Sequence, residues 1–357
     1  MLIKLPDLWL MIPALLLCVL GLVVTYSISP GDFASQLQFF IVGLLLFLLL
    51  SLIDFTFLQA FSLVSFGLSF LLLLLTIGLA EAVRGSRRWL QVGAMRLQSS
   101  ELMKPFLILG LSFLAAKVNV KKFPQFLLVL GVLALVCLLV FLQPDLGSMI
   151  VLLLIGVFVL MASYPKKRFF VALTILLMIA APILWQSLAS YQKQRVEHFL
   201  NPQADPLGAS YNQIQAVIAA GSGQLFGQGL GKGTQSRLQY LPEKHTDFFF
   251  ASLAEELGFL GSSLVLILFF SLGGRLLTLF SMSSDPVKRM VFLGTFAMFL
   301  FQASFHIGIN LGLLPVTGIT LPFLSVGGSS MLSSWLALGI ASSASQSIRQ
   351  DKAIYLR

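Results

Sequence analysis

The runs "LWLMIPALLLCVLGLVV" and "FLLVLGVLALVCLLVFL" carry no charged residue. Each is long enough to cross a bilayer, which takes ~17–25 apolar residues of helix. Hydrocarbon offers no water to an unpaired amide or carbonyl, so a chain that enters it must form helices or a closed barrel. Barrel strands alternate apolar and polar residues, and these runs do not. With 57% hydrophobic and 10% charged residues, the chain also exceeds what a soluble protein of 357 residues can bury. The sequence predicts an all-α, polytopic membrane protein, with residues 1–357 forming a single integral membrane domain.

Ten transmembrane helices are expected, near 8–28, 36–53, 59–80, 101–116, 125–142, 146–164, 169–188, 248–279, 290–312 and 324–345. The eighth is too long for one straight crossing and is expected to tilt or to begin with a short interfacial helix. The last is rich in Gly, Ala and Ser, which suits a helix packed among others. No small-residue cleavage site follows the first run, so it reads as a span and not as a removable signal peptide. Cys18 and Cys137 fall mid-span and read as small core hydrophobes, not as a disulfide or metal pair.

Charge orients the chain. A net charge of +9 in a soluble protein would suggest nucleic acid; here membrane topology accounts for it, and no nucleic-acid partner is expected. Lys4 precedes span 1; Lys117, Lys121 and Lys122 follow span 4; Lys166, Lys167 and Arg168 follow span 6. Arg275, Lys288 and Arg289 follow span 8, and Arg349, Lys352 and Arg357 end the chain. All lie on one side, so both termini are expected to be cytoplasmic. One large extracellular loop, about residues 189–247, then joins spans 7 and 8. Within it "SYNQIQAVIAAG" reads as an amphipathic helix lying on the membrane surface. The short outer loop "EAVRGSRRWLQVGAMRLQ" carries Arg84, Arg87, Arg88 and Arg96 against the positive-inside bias. It suits either lipid headgroups or a site for an anionic group at the outer leaflet.

Charge inside a span costs ~3 kcal/mol per residue on insertion scales, so each instance needs a reason. Glu101 and Lys104 stand at i,i+3 on one helix face, where they can neutralise each other or wall a polar cavity. Asp145, in the turn "QPDLGS", can N-cap span 6 or face the same cavity. The stretch "LPEKHTDFFFASLAEELGFLG" holds Glu243, Asp247, Glu255 and Glu256, four of only 14 acids. Asp247 stands at the outer end of span 8, where it can cap the helix or act chemically. Glu255 and Glu256 lie roughly 12–13 Å deeper at ~1.5 Å per residue, on other faces of a regular helix, and are expected to pair with neighbouring helices. Glu243 reads as solvated. No His/Cys cluster suits a metal, and no G-x-S-x-G elbow is present. The G-x-G patterns at Gly221–Gly223 and Gly229–Gly233 lack the βαβ unit of a nucleotide site.

Several long stretches, in order, resemble the SEDS family of peptidoglycan polymerases (RodA, FtsW, SpoVE). They are "RGSRRWLQVGAMRLQSSELMKP", "QPDLGS", "GSGQLFGQGLGKGTQSRLQYLPEKHTDFFFASLAEELGFLG" and "GLLPVTGITLPFLSVGGSS". "GKGTQS" ahead of "LPEKHTDF" is more like RodA than FtsW. Three positions depart from the family pattern: Ser99 where Pro is usual, Val326 where Tyr is usual, and His306 where Asn is common.

The resemblance implies an inverting glycosyltransferase of the cytoplasmic membrane, with its active site facing outside. Its substrate would be lipid II, a polyprenyl-diphosphate-linked disaccharide-peptide, polymerised for cell elongation and rod shape. It implies Asp247 as the catalytic acid of "HTDF". Arg88, Trp89, Glu101, Lys104 and Asp145 are implied as substrate-binding, with Arg87, Glu255 and Glu256 supporting. A diphosphate leaves without being protonated, so one base suffices, in contrast to the paired carboxylates of glycosidases. Arg88, with Arg87, Lys104 or a divalent ion such as Mg or Mn, would stabilise the departing charge. A class B penicillin-binding protein is the implied partner, with membrane lipids around both. The alternatives are a flippase for the lipid-linked precursor, an FtsW-like division polymerase, and a non-catalytic scaffold.

Overall fold

The computed structural model describes residues 5–80, 88–93, 95–118, 120, 122–163, 171, 178, 182, 185–188, 190–206, 208, 210–238 and 240–355. Asp7 starts the first helix, its carboxylate accepting from the Trp9 amide at 3.1 Å. α1 (Leu8–Ile28) and α2 (Pro30–Leu52) follow, with Pro30 in the first turn, where its missing N–H leaves nothing unpaired. The expected third span is divided into α3 (Phe55–Ala60) and α4 (Ser62–Leu79). α5 (Ser99–Lys117), α6 (Phe123–Leu142) and α7 (Leu146–Ser163) match the next three expectations closely. The expected seventh span lies almost wholly outside the described residues, as do Lys4, Arg84, Arg87, Lys121 and residues 166–168. The long loop holds α8 (Ser190–Leu200), α9 (Tyr211–Ser222) and the single turn α10 (Thr234–Arg237). α11 (Phe249–Met282), α12 (Pro286–Asn310) and α13 (Gly328–Tyr355) complete the bundle.

Among the described residues, eight helices are long and apolar enough to cross a membrane. α13, more polar than these, packs against α2 and α5 as its small residues predict. Its Trp335 is wholly buried, with ring centroids 5.4 Å from Phe47 and 5.3 Å from Phe323. Gly43 of α2 makes room for it; a Cβ there would lie 2.5 Å from Trp335 Cδ1. Two turns further along α13, the Ser342 hydroxyl accepts from the Asp7 amide. Asp7 also pairs with Arg275 at 2.6 Å, so one buried acid ties α1, α11 and α13 together. Cys18 and Cys137 are buried free thiols.

Two features add to the expected helices and plain loops. The basic loop folds as an antiparallel hairpin, β1 (Trp89–Val92) and β2 (Met95–Gln98), with Trp89 opposite Gln98 and Val92 opposite Met95. Gly93, at φ 63°, supplies the turn. The helix "SYNQIQAVIAAG", α9, also meets protein: its Ala216 and Ala219 are buried where it packs on α11, while Val217 and Ile218 stay exposed.

α11 is broken at Gly258, which has φ 68° and ψ −163°. This region of backbone space is essentially restricted to glycine. Before the break the Glu255 and Glu256 carbonyls accept from the Gln228 and Gly229 amides at 2.9 and 3.0 Å. Beyond it the Phe259 and Leu260 amides donate to the Gln224 and Leu225 carbonyls at 2.8 and 3.2 Å. The glycine-rich loop thus supplies the hydrogen bonds that the helix gives up. Side chains do not fit between these strands of backbone. A Cβ on Gly227 would lie 2.1 Å from the Glu256 carbonyl oxygen, and one on Gly258 2.2 Å from the Gly227 nitrogen. Gly258→Ala is therefore expected to destabilise the protein by more than the ~1–3 kcal/mol of backbone strain alone. Thermal unfolding of the purified protein in detergent checks this; an unchanged midpoint contradicts the account of the break.

Candidate active site

A cavity of about 800 Å³ opens where the hairpin, α8 and the starts of α5, α9 and α13 meet the turn that leads into α11. Three cations, Arg88, Arg96 and Arg195, and three carboxylates, Glu101, Glu243 and Asp247, line it. Trp89 adds an aromatic face, and Ser329, Ser330 and Thr320 add hydroxyls.

Arg88 is aimed by its neighbours. Its guanidinium donates to the Pro144 carbonyl and lies 3.7 Å from the Asp145 carboxylate. Asp145 accepts from Gln98 Nε2 and Ser100 Oγ, both at 3.0 Å, and from the Ser148 amide of α7 at 3.2 Å. Asp145 therefore both caps α7 and braces Arg88, but it does not itself line the cavity. Lys104 is fully buried and donates to Glu101 Oε1 at 2.6 Å. It holds Glu101, which does line the cavity, and stands behind it. Arg87 lies outside the described residues.

Asp247 sits in a turn pinned at three consecutive carbonyls. Val326 N–H donates to His245 at 2.9 Å, Ser325 Oγ to Thr246 at 3.1 Å and Asn310 Nδ2 to Asp247 at 3.0 Å. The Asp247 carboxylate does not cap α11. The N-cap position belongs to Phe248, and the Phe250 and Ala251 amides donate to His306 and Asn310 of α12. The walls of the cavity remove Asp247 from bulk water, and this burial pushes its carboxyl up to about 6. Arg195 opposes the rise, Glu243 adds to it, and His245 and Arg88 oppose it more weakly.

The other acids of that stretch have different work. Glu255 accepts from the Gln235 and Ser236 amides at 2.7 and 3.0 Å and from Thr234 Oγ1 at 3.3 Å. Glu256 accepts from Ser27 Oγ at 2.6 Å and the Gly231 amide at 2.9 Å. Apart from Ser27 of α1, their partners come from the single turn α10 and the glycine-rich loop ahead of it, not from neighbouring membrane spans. The helix phase expected from Asp247 fails because regular helix begins only at Phe249. Glu243, expected in open solvent, faces the cavity. Arg195 and His198 were legible in "SYQKQRVEHFL" as an i,i+3 pair on one helix face, yet nothing in sequence says which surface that face meets. Among the described residues, no group of three or more His, Cys, Asp or Glu side chains is placed to hold a metal ion.

The profile of the FtsW/RodA/SpoVE cell cycle proteins matches residues 7–350. Stage V sporulation protein E of Bacillus subtilis (strain 168) is 36% identical over 94% of this chain and 95% of its own length. Peptidoglycan glycosyltransferase MrdB of Escherichia coli (strain K12) is 39% identical over 73% of this chain and 71% of its own. A chain from a solved peptidoglycan synthase complex, described for its coordination of polymerization and crosslinking, superposes with a TM-score of 0.80 at 29% identity. That match covers 97% of this chain and 99% of the other.

If Glu255 anchors the loop as its hydrogen bonds indicate, Glu255→Gln turns an amide donor towards backbone amides and costs ~1–3 kcal/mol locally. Limited proteolysis should then cut within residues 227–237 faster than in wild type, while equal cutting rates would exclude this anchoring role.

Proposed function

Since the chain belongs to the FtsW/RodA/SpoVE family of cell cycle proteins, we propose that it is a peptidoglycan glycosyltransferase that polymerises lipid II. The observation that carries this reading is a carboxylate raised toward neutrality, facing a cavity that it shares with three arginines. A general base works best with a pKa near the working pH, and the raised Asp247 meets that condition. In the proposed step, an Asp247 oxygen takes the proton from the acceptor sugar hydroxyl. The freed oxygen attacks the anomeric carbon of the donor, and the carbon–oxygen bond to the polyprenyl diphosphate breaks. The bonding pair departs on the diphosphate, which needs cationic stabilisation and no proton. Among the described residues, Arg88, Arg96 and Arg195 line the cavity and would take that role. Attack opposite the leaving group inverts the sugar carbon. A divalent ion arriving with the diphosphate would need only one or two carboxylates.

The distribution of Lys and Arg supports a cytoplasmic-membrane location with the cavity facing outside. "GKGTQS" ahead of "LPEKHTDF" supports a role in elongation over division. The likeness to a synthase complex that coordinates polymerization with crosslinking supports a class B penicillin-binding protein as partner. A flippase would carry unpaired charge along the whole membrane depth. Among the described residues, the ionisable groups facing the cavity gather at one end of the bundle, and Asp7 at the other end is paired with Arg275.

Three measurements test the reading. Polymerisation of labelled lipid II by purified Asp247→Asn should be abolished, and wild-type rates in that variant would rule out the base. The base acts only when ionised, so the wild-type rate should fall ~tenfold per unit of pH below about 6. Arg88→Ala should lower the rate by ~10²-fold or more while Asp247 keeps its place, read from the same assay.

A further inference from the structure

α11 begins without a cap of its own. Phe248 at the N-cap has no acceptor in its side chain. The first amides of a helix need partners, and here they are buried. Two side chains of α12, one turn apart and both fully buried, provide them. The Phe250 amide donates to His306 Nε2 at 3.4 Å, and the Ala251 amide to Asn310 Oδ1 at 2.8 Å. Because Nε2 accepts, the ring proton is on Nδ1, which donates to the Ile319 carbonyl at 2.8 Å. Asn310 Nδ2 donates to the His306 carbonyl at 2.7 Å and to the Asp247 carbonyl at 3.0 Å. One carboxamide therefore grips the chain on both sides of Phe248.

We propose that Asn310, assisted by His306, is a positioning residue that keeps Asp247 out of the helix cap and in the cavity. An aspartate just ahead of an uncapped helix is well placed to take its amides, since Asp is among the favoured capping residues. Amide donors stabilise the ionised carboxylate and weaken it as a base. By occupying those amides, Asn310 and His306 remove the competitor for the Asp247 oxygens. By holding the Asp247 carbonyl, Asn310 also sets the direction in which the side chain leaves the backbone. The inference rests on the reading of Asp247 as the base.

The test is the pH dependence of kcat and KM for lipid II in the purified full-length chain. Asp247 feels Arg195 from α8, Arg88 ahead of the hairpin, and Glu243 and His245 in its own turn. Arg96, Glu101 and His198 share its cavity, and His306 packs beneath the turn. Asn310→Ala frees the Ala251 amide to take the Asp247 carboxylate. Its kcat should fall ~10–100-fold with little change in KM, because the base is misplaced by about an ångström. Its acid limb should move ~1 unit to lower pH, because the amides favour the ionised form. Asn310→Asp keeps an acceptor for Ala251, so its acid limb should stay in place or move upward. A loss of packing alone would not separate the two variants in this way. If Asn310→Ala does not fold, Asn310→Thr carries the same test, since a helical Thr hydroxyl turns to the carbonyl four residues back. Wild-type kcat and an unmoved acid limb in folded Asn310→Ala or Asn310→Thr overturn the proposal. An active Asp247→Asn overturns the base reading beneath it, whereas an inactive Asp247→Asn beside wild-type-like Asn310 variants overturns the positioning role alone.

Discussion

A backbone amide or carbonyl in an apolar setting must be paired by something the chain itself provides. α11 defies helical regularity twice, and both times the rest of the molecule is arranged to meet that need. At Gly258 the helix breaks, and backbone from residues 224–229 fills the gap with four hydrogen bonds. At Phe249 the helix starts behind an apolar N-cap, and His306 and Asn310 reach across from α12. The cavity lies against the second of these sites. Backbone accounting and site building are here one problem.

The same economy governs charge. Buried ions need partners, because desolvation otherwise outweighs any gain. Glu101 has Lys104, Asp7 has Arg275, and Asp145 has Arg88 with two hydrogen-bonding side chains. Glu255 and Glu256 anchor the glycine-rich loop. Lys244 extends that anchoring, donating to the Ser236 carbonyl from within the turn that carries Asp247. Asp247 differs in kind. Its backbone is held at the carbonyl while its carboxylate borders open space, and burial raises its pKa to about 6. An acid kept half out of water and out of a cap is matched to proton transfer near neutrality.

Much of the bundle was legible in the residues. Apolar length located α1, α2 and α5–α7 within a few residues, apart from α2's earlier start, and small residues marked α13 as an inner helix. The hairpin was not legible, because two four-residue strands inside a basic loop carry too short an alternation to stand out. The amphipathic pattern of α9 was visible, but a hydrophobic face does not say whether it meets lipid or protein. His306, which departs from the family's common Asn, found its explanation only beside Asn310, one turn further along the same helix.

The sequence by itself determined that this chain crosses a membrane as helices and that Asp247 stands at the mouth of one of them. Apolar length and the cost of buried charge are properties of short stretches, readable without their surroundings. Only the tertiary structure decided that two of four neighbouring acids, Glu243 and Asp247, face a cavity and that Glu255 and Glu256 serve as anchors. Each acid is defined by its hydrogen-bond partners, and those lie far along the chain: 63 residues from Asp247 to Asn310, 20 from Glu255 to Gln235 and 229 from Glu256 to Ser27.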